Sequence, residues 1–271
     1  ITDEYAAEGY RLTLRQLYYQ FVTRNLLANT KRNYKNLGNW ICDARLAGLI
    51  DWSMIVDRRR KLQSSSHWDG PEELLESAAK SYGVDSWSDQ TLRVEVWVEK
   101  EADAEIIERP ARRWDVGWFC CLGHVSQTAI WNAAQRFLGY SDSGQEGVIL
   151  YLGDHDPTGM DISRDIQDKL DLFCEGEGPE VIRIALTMDQ IEEHHLPPNP
   201  TKLTDSRALK YMERFGTEFS WELDALDPRV LDALINAAIE EHADTDRLSH
   251  RWDQRETERI QLFKLAERFQ R

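Results

Sequence analysis

Between two glycines, the run Gly147-Val148-Ile149-Leu150-Tyr151-Leu152-Gly153 is apolar at every position. A strand with one wet face alternates apolar and polar residues, so an unbroken apolar run marks a strand covered on both faces. Three more β-prone runs surround it: LRVEVWV at 92–98, VGWFCCL at 116–122 and EVIRIAL at 180–186. Helical spacing fills the intervals, from about 101, over 126–138 and over 162–173. Four strands alternating with helices predict an α/β fold, a parallel sheet flanked by helices.

The flanks read differently. Residues 11–28 place Leu14, Leu17, Tyr18, Phe21 and Leu26 at helical spacing, with Thr13 as a cap. A second helix is expected over 33–47, with Leu37, Trp40, Ile41 and Leu46 facing inward. A short β-prone run then ends in Arg58-Arg59-Arg60-Lys61. Two helices followed by a strand with a basic tip predict a winged helix-turn-helix domain over 1–62. Polar residues 63–91 read as a linker holding a short helix that starts at Pro71. The sheet domain is expected over 92–204. A mainly helical C-terminal region follows over 205–271, broken at Leu226-Asp227-Pro228. The segment Trp221–Leu226 reads as a structural corner with no chemistry assigned.

With 271 residues, 41% hydrophobic and 30% charged, the chain can bury a sizeable core, and wholesale disorder is not expected. No stretch approaches the roughly 18–20 apolar residues of a membrane helix, and no secretory leader pattern opens the sequence. The four cysteines (Cys42, Cys120, Cys121, Cys174) form no CxxC pair and read as reduced, buried thiols of a cytoplasmic protein. A net charge of −15 argues on its face against phosphate-rich partners. The charge is uneven, however. Residues 1–66 carry eleven basic and six acidic side chains, a surplus of five, and the remainder carries −20. Either the basic head has a task of its own, or the excess is only solvated charge.

Ligands of open parallel sheets bind at the carboxyl ends of the strands. Here the first strand runs into Glu99-Lys100 and the third into Asp154-His155-Asp156-Pro157-Thr158-Gly159. Neighbouring strands would bring Glu99, Asp154 and Asp156 together, and a hard divalent cation, magnesium, would relieve their repulsion. The bland alternative for Asp-x-Asp-Pro-x-Gly is a turn, since Asp, Pro and Gly are turn residues. His155 reads as packed or solvated rather than catalytic. On the N-terminal helix, Tyr18 falls on the apolar stripe. Tyr19 lies about 100° further round, on the polar side with Arg15 and Thr23. Arg15 is one turn away and could stabilise a phenolate or hold a phosphate.

V-W-V-E-K followed by L-G-D-H-D-P-T-G-M-D-I resembles the Toprim domain of topoisomerases, bacterial primases and related nucleases. The form D-x-D-P-x-G-x-x-I is most similar to the topoisomerase VI A subunit and its meiotic double-strand-break relatives. Between these motifs, Cys121-Leu122-Gly123-His124 resembles the glycine turn after the second Toprim strand. L-T-L-R-Q-L-Y-Y-Q-F resembles the R-x-x-Y-Y segment of the same family's winged-helix domain. The resemblance covers roughly 11–61 and 92–190. It implies magnesium on Glu99, Asp154 and Asp156, and Tyr19 as the nucleophile toward DNA. Arg15 would hold the phosphate and Lys100 would neutralise charge nearby. Arg58, Arg59, Arg60, Lys61, Lys31 and Arg32 would contact double-stranded DNA.

The implied activity is DNA cleavage by tyrosine transesterification, of the type IIB topoisomerase A-subunit kind. The implied assembly is a homodimer, with a possible ATPase B-type partner because the chain has no Walker-type phosphate loop. The expected location is cytoplasmic and nucleoid-associated. Two alternatives stand beside this: a Toprim hydrolytic nuclease of the plasmid- or phage-defence type, in which Tyr19 is idle, and a catalytically idle DNA-binding module. A primase-type zinc cluster has no counterpart in the four cysteines.

Overall fold

Strand β1 (Leu92–Val98) lies at the middle of the molecule and pairs on both sides. Its neighbours are β2 (Gly117–Cys120) and β3 (Glu146–Leu152), and β4 (Glu180–Ala185) adds to the far side of β3. All pairings are parallel, so the sheet has the order β2-β1-β3-β4. The computed structural model describes residues 1–55 and 65–268.

Alternation along the strands divides the interior into two layers. Val94, Val96, Val98, Leu150 and Leu152 point into one core, together with Ile106 and Ile107 of α5 (Ala104–Trp114) and Leu231, Ile235 and Ile239 of α10 (Pro228–Glu241). Trp97, Ile149 and Tyr151 point into the other, against α6 (Gln127–Asp142) and α7 (Pro157–Phe173). The one acid within β1, Glu95, is buried and compensated. Arg136 grips it through two nitrogens at 2.6 and 2.9 Å, and the Trp97 indole donates to it at 2.9 Å.

Ahead of the sheet come α1 (Thr2–Ala7), α2 (Leu14–Thr23), α3 (Lys31–Leu46) and α4 (Pro71–Ser81). Thr13 caps α2 as expected, and Gln16 closes a reciprocal capping box. Leu12 and Ile55 form a parallel bridge that brackets the α2–α3 pair. Leu37 and Ile41 of α3 are buried, but Trp40 and Leu46 are not, with 51% and 78% exposure. At about 100° per residue, Leu37 and Ile41 share one line that faces the core, while Leu46 lies well round the helix from it. The basic run Arg58–Lys61 falls outside the described residues.

The stretch expected to be a linker is tied into the fold. Helix α4 packs on α11 (Thr245–Glu267), and Trp87 is buried with its indole donating to the Trp114 carbonyl at 2.7 Å. The Gln145 amide donates to the carbonyls of Trp87 and Gln90. The C-terminal region is helical, as expected, and α10 starts at the anticipated break, with Asp227 as its cap and Pro228 in its first turn. The N-terminus is joined to that break by Tyr5, which donates to Asp227 at 2.8 Å. Between β4 and α10 run α8 (Met188–Glu193), the two-residue strand β5 (Asn199–Pro200), α9 (Ala208–Phe215) and β6 (Phe219–Ser220), which pairs with β5. All four thiols are free. Cys121 and Cys174 are buried as expected, whereas Cys42 is exposed on α3. Among the described residues no helix is long and apolar enough to cross a membrane.

Leu150 is fully buried at the centre of the larger core. Truncation there leaves a cavity closed in by strands on both sides. Leu150→Ala is expected to cost about 3 kcal/mol of stability, read as a lower urea midpoint at unchanged slope.

Candidate functional site

Because β1 and β3 end in register, with Val98 opposite Leu152, the residues after them leave the sheet side by side. The Glu99 amide donates to the Leu152 carbonyl at 2.9 Å, and the Glu99 carboxylate accepts the Asp154 amide at 3.0 Å. Two glycines make room for that carboxylate. A Cβ on Gly153 would stand 2.7 Å from Glu99 Oε2, and one on Gly159 would stand 2.9 Å from the same oxygen. Asp156 caps α7, accepting from the Gly159 amide at 2.6 Å, and Pro157 opens the helix behind it. The Asp-His-Asp-Pro-Thr-Gly stretch is therefore both a strand end and a helix start.

Glu99 and Asp154 come together as the sequence predicts, whereas the Asp156 side chain is turned to the first turn of α7. Burial, the Asp154 charge and, more weakly, Asp156 push the Glu99 carboxyl up to about 7. Burial also raises Asp154, against the pull of its ion pair with Lys100. The other Asp154 oxygen accepts the Leu223 amide at 2.9 Å. Lys100 thus takes its expected place among the carboxylates, and its ammonium also lies 3.6 Å from Glu222.

Three acids at this edge escaped the sequence reading: Asp103, Glu222 and Asp224. Asp103 and Asp224 are fully buried. Burial and the nearby Asp224 charge hold Asp103 well above the usual carboxylate range, and burial brings Asp224 to about 6 despite Lys100 and Arg15. The only sequence signal was the acid at every second position of Trp221-Glu222-Leu223-Asp224, in a segment otherwise apolar. The expected corner is in fact the third side of the site.

Tyr18 is core, as expected. Its hydroxyl accepts the Thr30 amide at 2.7 Å and donates to the Thr30 carbonyl at 3.0 Å. Tyr19 departs from expectation. It shares the side of α2 that carries Arg15, yet it is only 3% exposed, because that side packs on the Leu223–Ala225 turn. Its hydroxyl accepts from the Asn199 amide group at 3.2 Å. The Arg15 charge favours the phenolate, as expected, but is outweighed. Burial, followed by the negative charge of Glu222, pushes the phenol up to about 12. The Arg15 guanidinium is engaged elsewhere, ion-paired with Glu222 and 3.3 Å from Asp224.

A cleft of about 80 Å³ opens beside these groups, lined by Asp156, Thr158, Asn199, Lys202, Asp205 and Glu222 among others. His155 plays no part in it. Its ring is buried, hydrogen-bonded to the Tyr211 hydroxyl at 2.7 Å and packed on Phe215, and burial pushes its pKa down to about 4. Lys31 and Arg32 are exposed on the first turn of α3. Among the described residues no three His, Cys, Asp or Glu side chains are arranged around a metal position. The donor chemistry at the edge nonetheless suits a hard cation, because the donors are all oxygen and burial, with the Asp154 charge, raises Glu99. Compared with models of known protein families and with curated proteins, the chain matches none.

The raised Glu99 fixes the sign of a pH effect. Between about pH 4.5 and 7 the folded state holds a proton there that the unfolded chain has lost, so stability falls as pH rises through that window. Glu99→Gln keeps an oxygen for the Asp154 amide and removes the charge. In chelator-containing buffer the variant is expected to be more stable than the wild type at pH 8, by about 1–3 kcal/mol, with little difference at pH 4.5. Urea unfolding at the two pH values measures this.

Proposed function

We propose that this chain is a DNA-cleaving transesterase of the kind its motifs resemble, the topoisomerase VI A subunit. The observation that carries the reading is the meeting of Tyr19 and Arg15 with the acidic sheet edge. These come from distant parts of the sequence, yet Arg15 and Lys100 share one carboxylate, Glu222. Tyr19 Oη would attack a backbone phosphorus, forming a phosphotyrosyl bond as the bond to the leaving sugar oxygen breaks. With its phenol near 12, Tyr19 is protonated at neutral pH, so its proton would pass to water as it attacks, and the leaving sugar oxygen would take up a proton from water. Arg15 would hold the phosphate, and Lys100 would offset the charge gathering at the sheet edge. Glu99, Asp154 and Asp156 would hold magnesium, which when bound polarises a phosphate oxygen and steadies a leaving alkoxide.

The domain containing α2 and α3 serves in this reading as a winged helix-turn-helix, and the sheet domain as a Toprim domain. Lys31, Arg32 and the run Arg58–Lys61 would contact phosphates of double-stranded DNA. A homodimer, a possible ATPase B-type partner and a cytoplasmic, nucleoid-associated location belong to the same reading. The burial of Tyr19 and its raised pKa favour a second one, a hydrolytic nuclease in which the acidic edge activates water and Tyr19 only packs.

Supercoiled plasmid incubated with the protein and magnesium, stopped with denaturant and split into samples with and without protease, separates the two. The transesterase gives breaks that appear only after protease and vanish in both Tyr19→Phe and Asp154→Ala. Breaks that ignore protease and survive Tyr19→Phe, yet vanish in Asp154→Ala, establish the nuclease. For the transesterase, Tyr19→Phe is expected to lower adduct formation by at least about a thousandfold, since it removes the oxygen that forms the bond.

A further inference from the structure

Glu222 is held from two sides. Arg15 of α2 forms an ion pair with Glu222 Oε2, and Lys100, just past β1, places its ammonium 3.6 Å from the same oxygen. Two cations from separate parts of the chain converging on one oxygen is the arrangement that would bind a non-bridging phosphate oxygen. The carboxylate borders the open cleft, together with Lys202 and with Asn199, whose amide reaches Tyr19.

We propose that Arg15 and Lys100 form a phosphodiester seat in which Glu222 is the resident anion, so that nucleic-acid phosphate enters by displacing the Glu222 side chain. This deepens, and rests on, the reading of the site as one that acts on DNA. The surrounding contacts make the exchange a side-chain event. Trp221 and His155 exchange two backbone hydrogen bonds, both 2.9 Å, and the Leu223 amide donates to Asp154. The backbone on either side of Glu222 is thus pinned to the Asp154–Asp156 loop, while its carboxylate is partly exposed. The two cations keep partners when it leaves: Asp224 lies 3.3 Å from Arg15, and Asp154 is paired with Lys100. Departure of Glu222 also removes the strongest charge acting against a tyrosinate at Tyr19. One carboxylate would then guard both the phosphate seat and the nucleophile.

The test measures binding, without magnesium and in the presence of chelator, so that it does not depend on cleavage. Inorganic phosphate is titrated by calorimetry and a labelled short duplex by fluorescence anisotropy. The proteins are the wild type, Glu222→Gln, and Glu222→Gln combined with Arg15→Gln or with Lys100→Gln. Glu222→Gln is expected to bind both probes about tenfold more tightly, with the gain lost in each double variant and a steeper salt dependence for the duplex. Glu222→Asp, which keeps the charge but retracts it, is expected to fall between wild type and Glu222→Gln.

Unchanged or weaker phosphate binding by Glu222→Gln overturns the proposal, as does a gain that survives loss of either cation. Loss of the native melting transition in both Glu222 variants would make the residue a structural tie and overturn it as well. A gain for phosphate without one for the duplex leaves the seat standing and removes DNA as its ligand, which is a failure of the wider reading alone.

Discussion

The residue-for-residue pairing of β1 with β3, from Leu92 opposite Glu146 to Val98 opposite Leu152, decides where the chemistry of this molecule can lie. Both strands run the same way, so both end on one edge, where Glu99 follows Val98 and Asp154 follows Gly153. A slip of one residue would exchange the faces of every side chain, sending Trp97 toward α5 and Val96 toward α6. Two separate apolar layers oppose that slip, one on each side of the sheet. The placing of the two acids is therefore tied to the packing of the whole sheet. Arg183 of β4 adds to this. It lies half-buried beneath the Asp154–Asp156 loop and donates to the backbone carbonyls of Gly153 and Gly159 at 3.0 and 3.3 Å, so it holds the loop through its backbone.

Gathering acids at a dry edge has a cost, and the outer parts of the chain are arranged to meet it. Lys100 reaches Asp154 from within the sheet domain. Arg15 reaches Glu222 and Asp224 from α2. The turn carrying those two acids is in turn fixed by backbone bonds between Trp221 and His155 and by the Leu223 amide, which donates to the Asp154 carboxylate. Breaking the Arg15 pair would leave a fully buried Asp224 with one fewer cation, a large penalty in a low-dielectric setting. The contact between α2 and the 223–225 turn thus depends on charge as well as on apolar packing, and the burial of Tyr19 follows from it.

What the sequence made legible divides along these physical lines. Strands were readable because periodicity and burial are local signals. Residues 92–98 match β1 at both ends, and the apolar run at 147–153 is offset from β3 by one residue. Helix starts were readable for the same reason, as Thr13 and Pro71 show, and so was the break at Asp227-Pro228. Glu99 and Asp154 followed from strand adjacency. Tyr19 was misjudged because a helical wheel gives direction but not what stands in that direction, and here it is a turn from the far end of the chain. Asp103, Glu222 and Asp224 were missed for that same reason. Trp40 and Leu46 erred the other way, since apolar residues need not be inside.

The edge remains short of positive charge even with every partner in place. Glu99, Asp103, Asp154, Asp156, Glu222 and Asp224 face Arg15 and Lys100, while Arg183 is committed to carbonyls. Protons make up part of the difference, since Glu99 is raised to about 7, Asp224 to about 6 and Asp103 well above the ordinary range. The acids that hold protons are those that burial keeps from water, whereas Glu222, with two cations beside it, is held below its ordinary value and stays charged. The order is informative. Charge is retained on Glu222, which borders the cleft beside Asp156 and Asp205, and is opposed by burial at Glu99, Asp103 and Asp224 behind it. An incoming anion would therefore meet Glu222 as its direct competitor for the two cations, and an incoming cation would compete with the protons of the acids behind. The same surplus of acid thus gates the site differently for the two kinds of ligand.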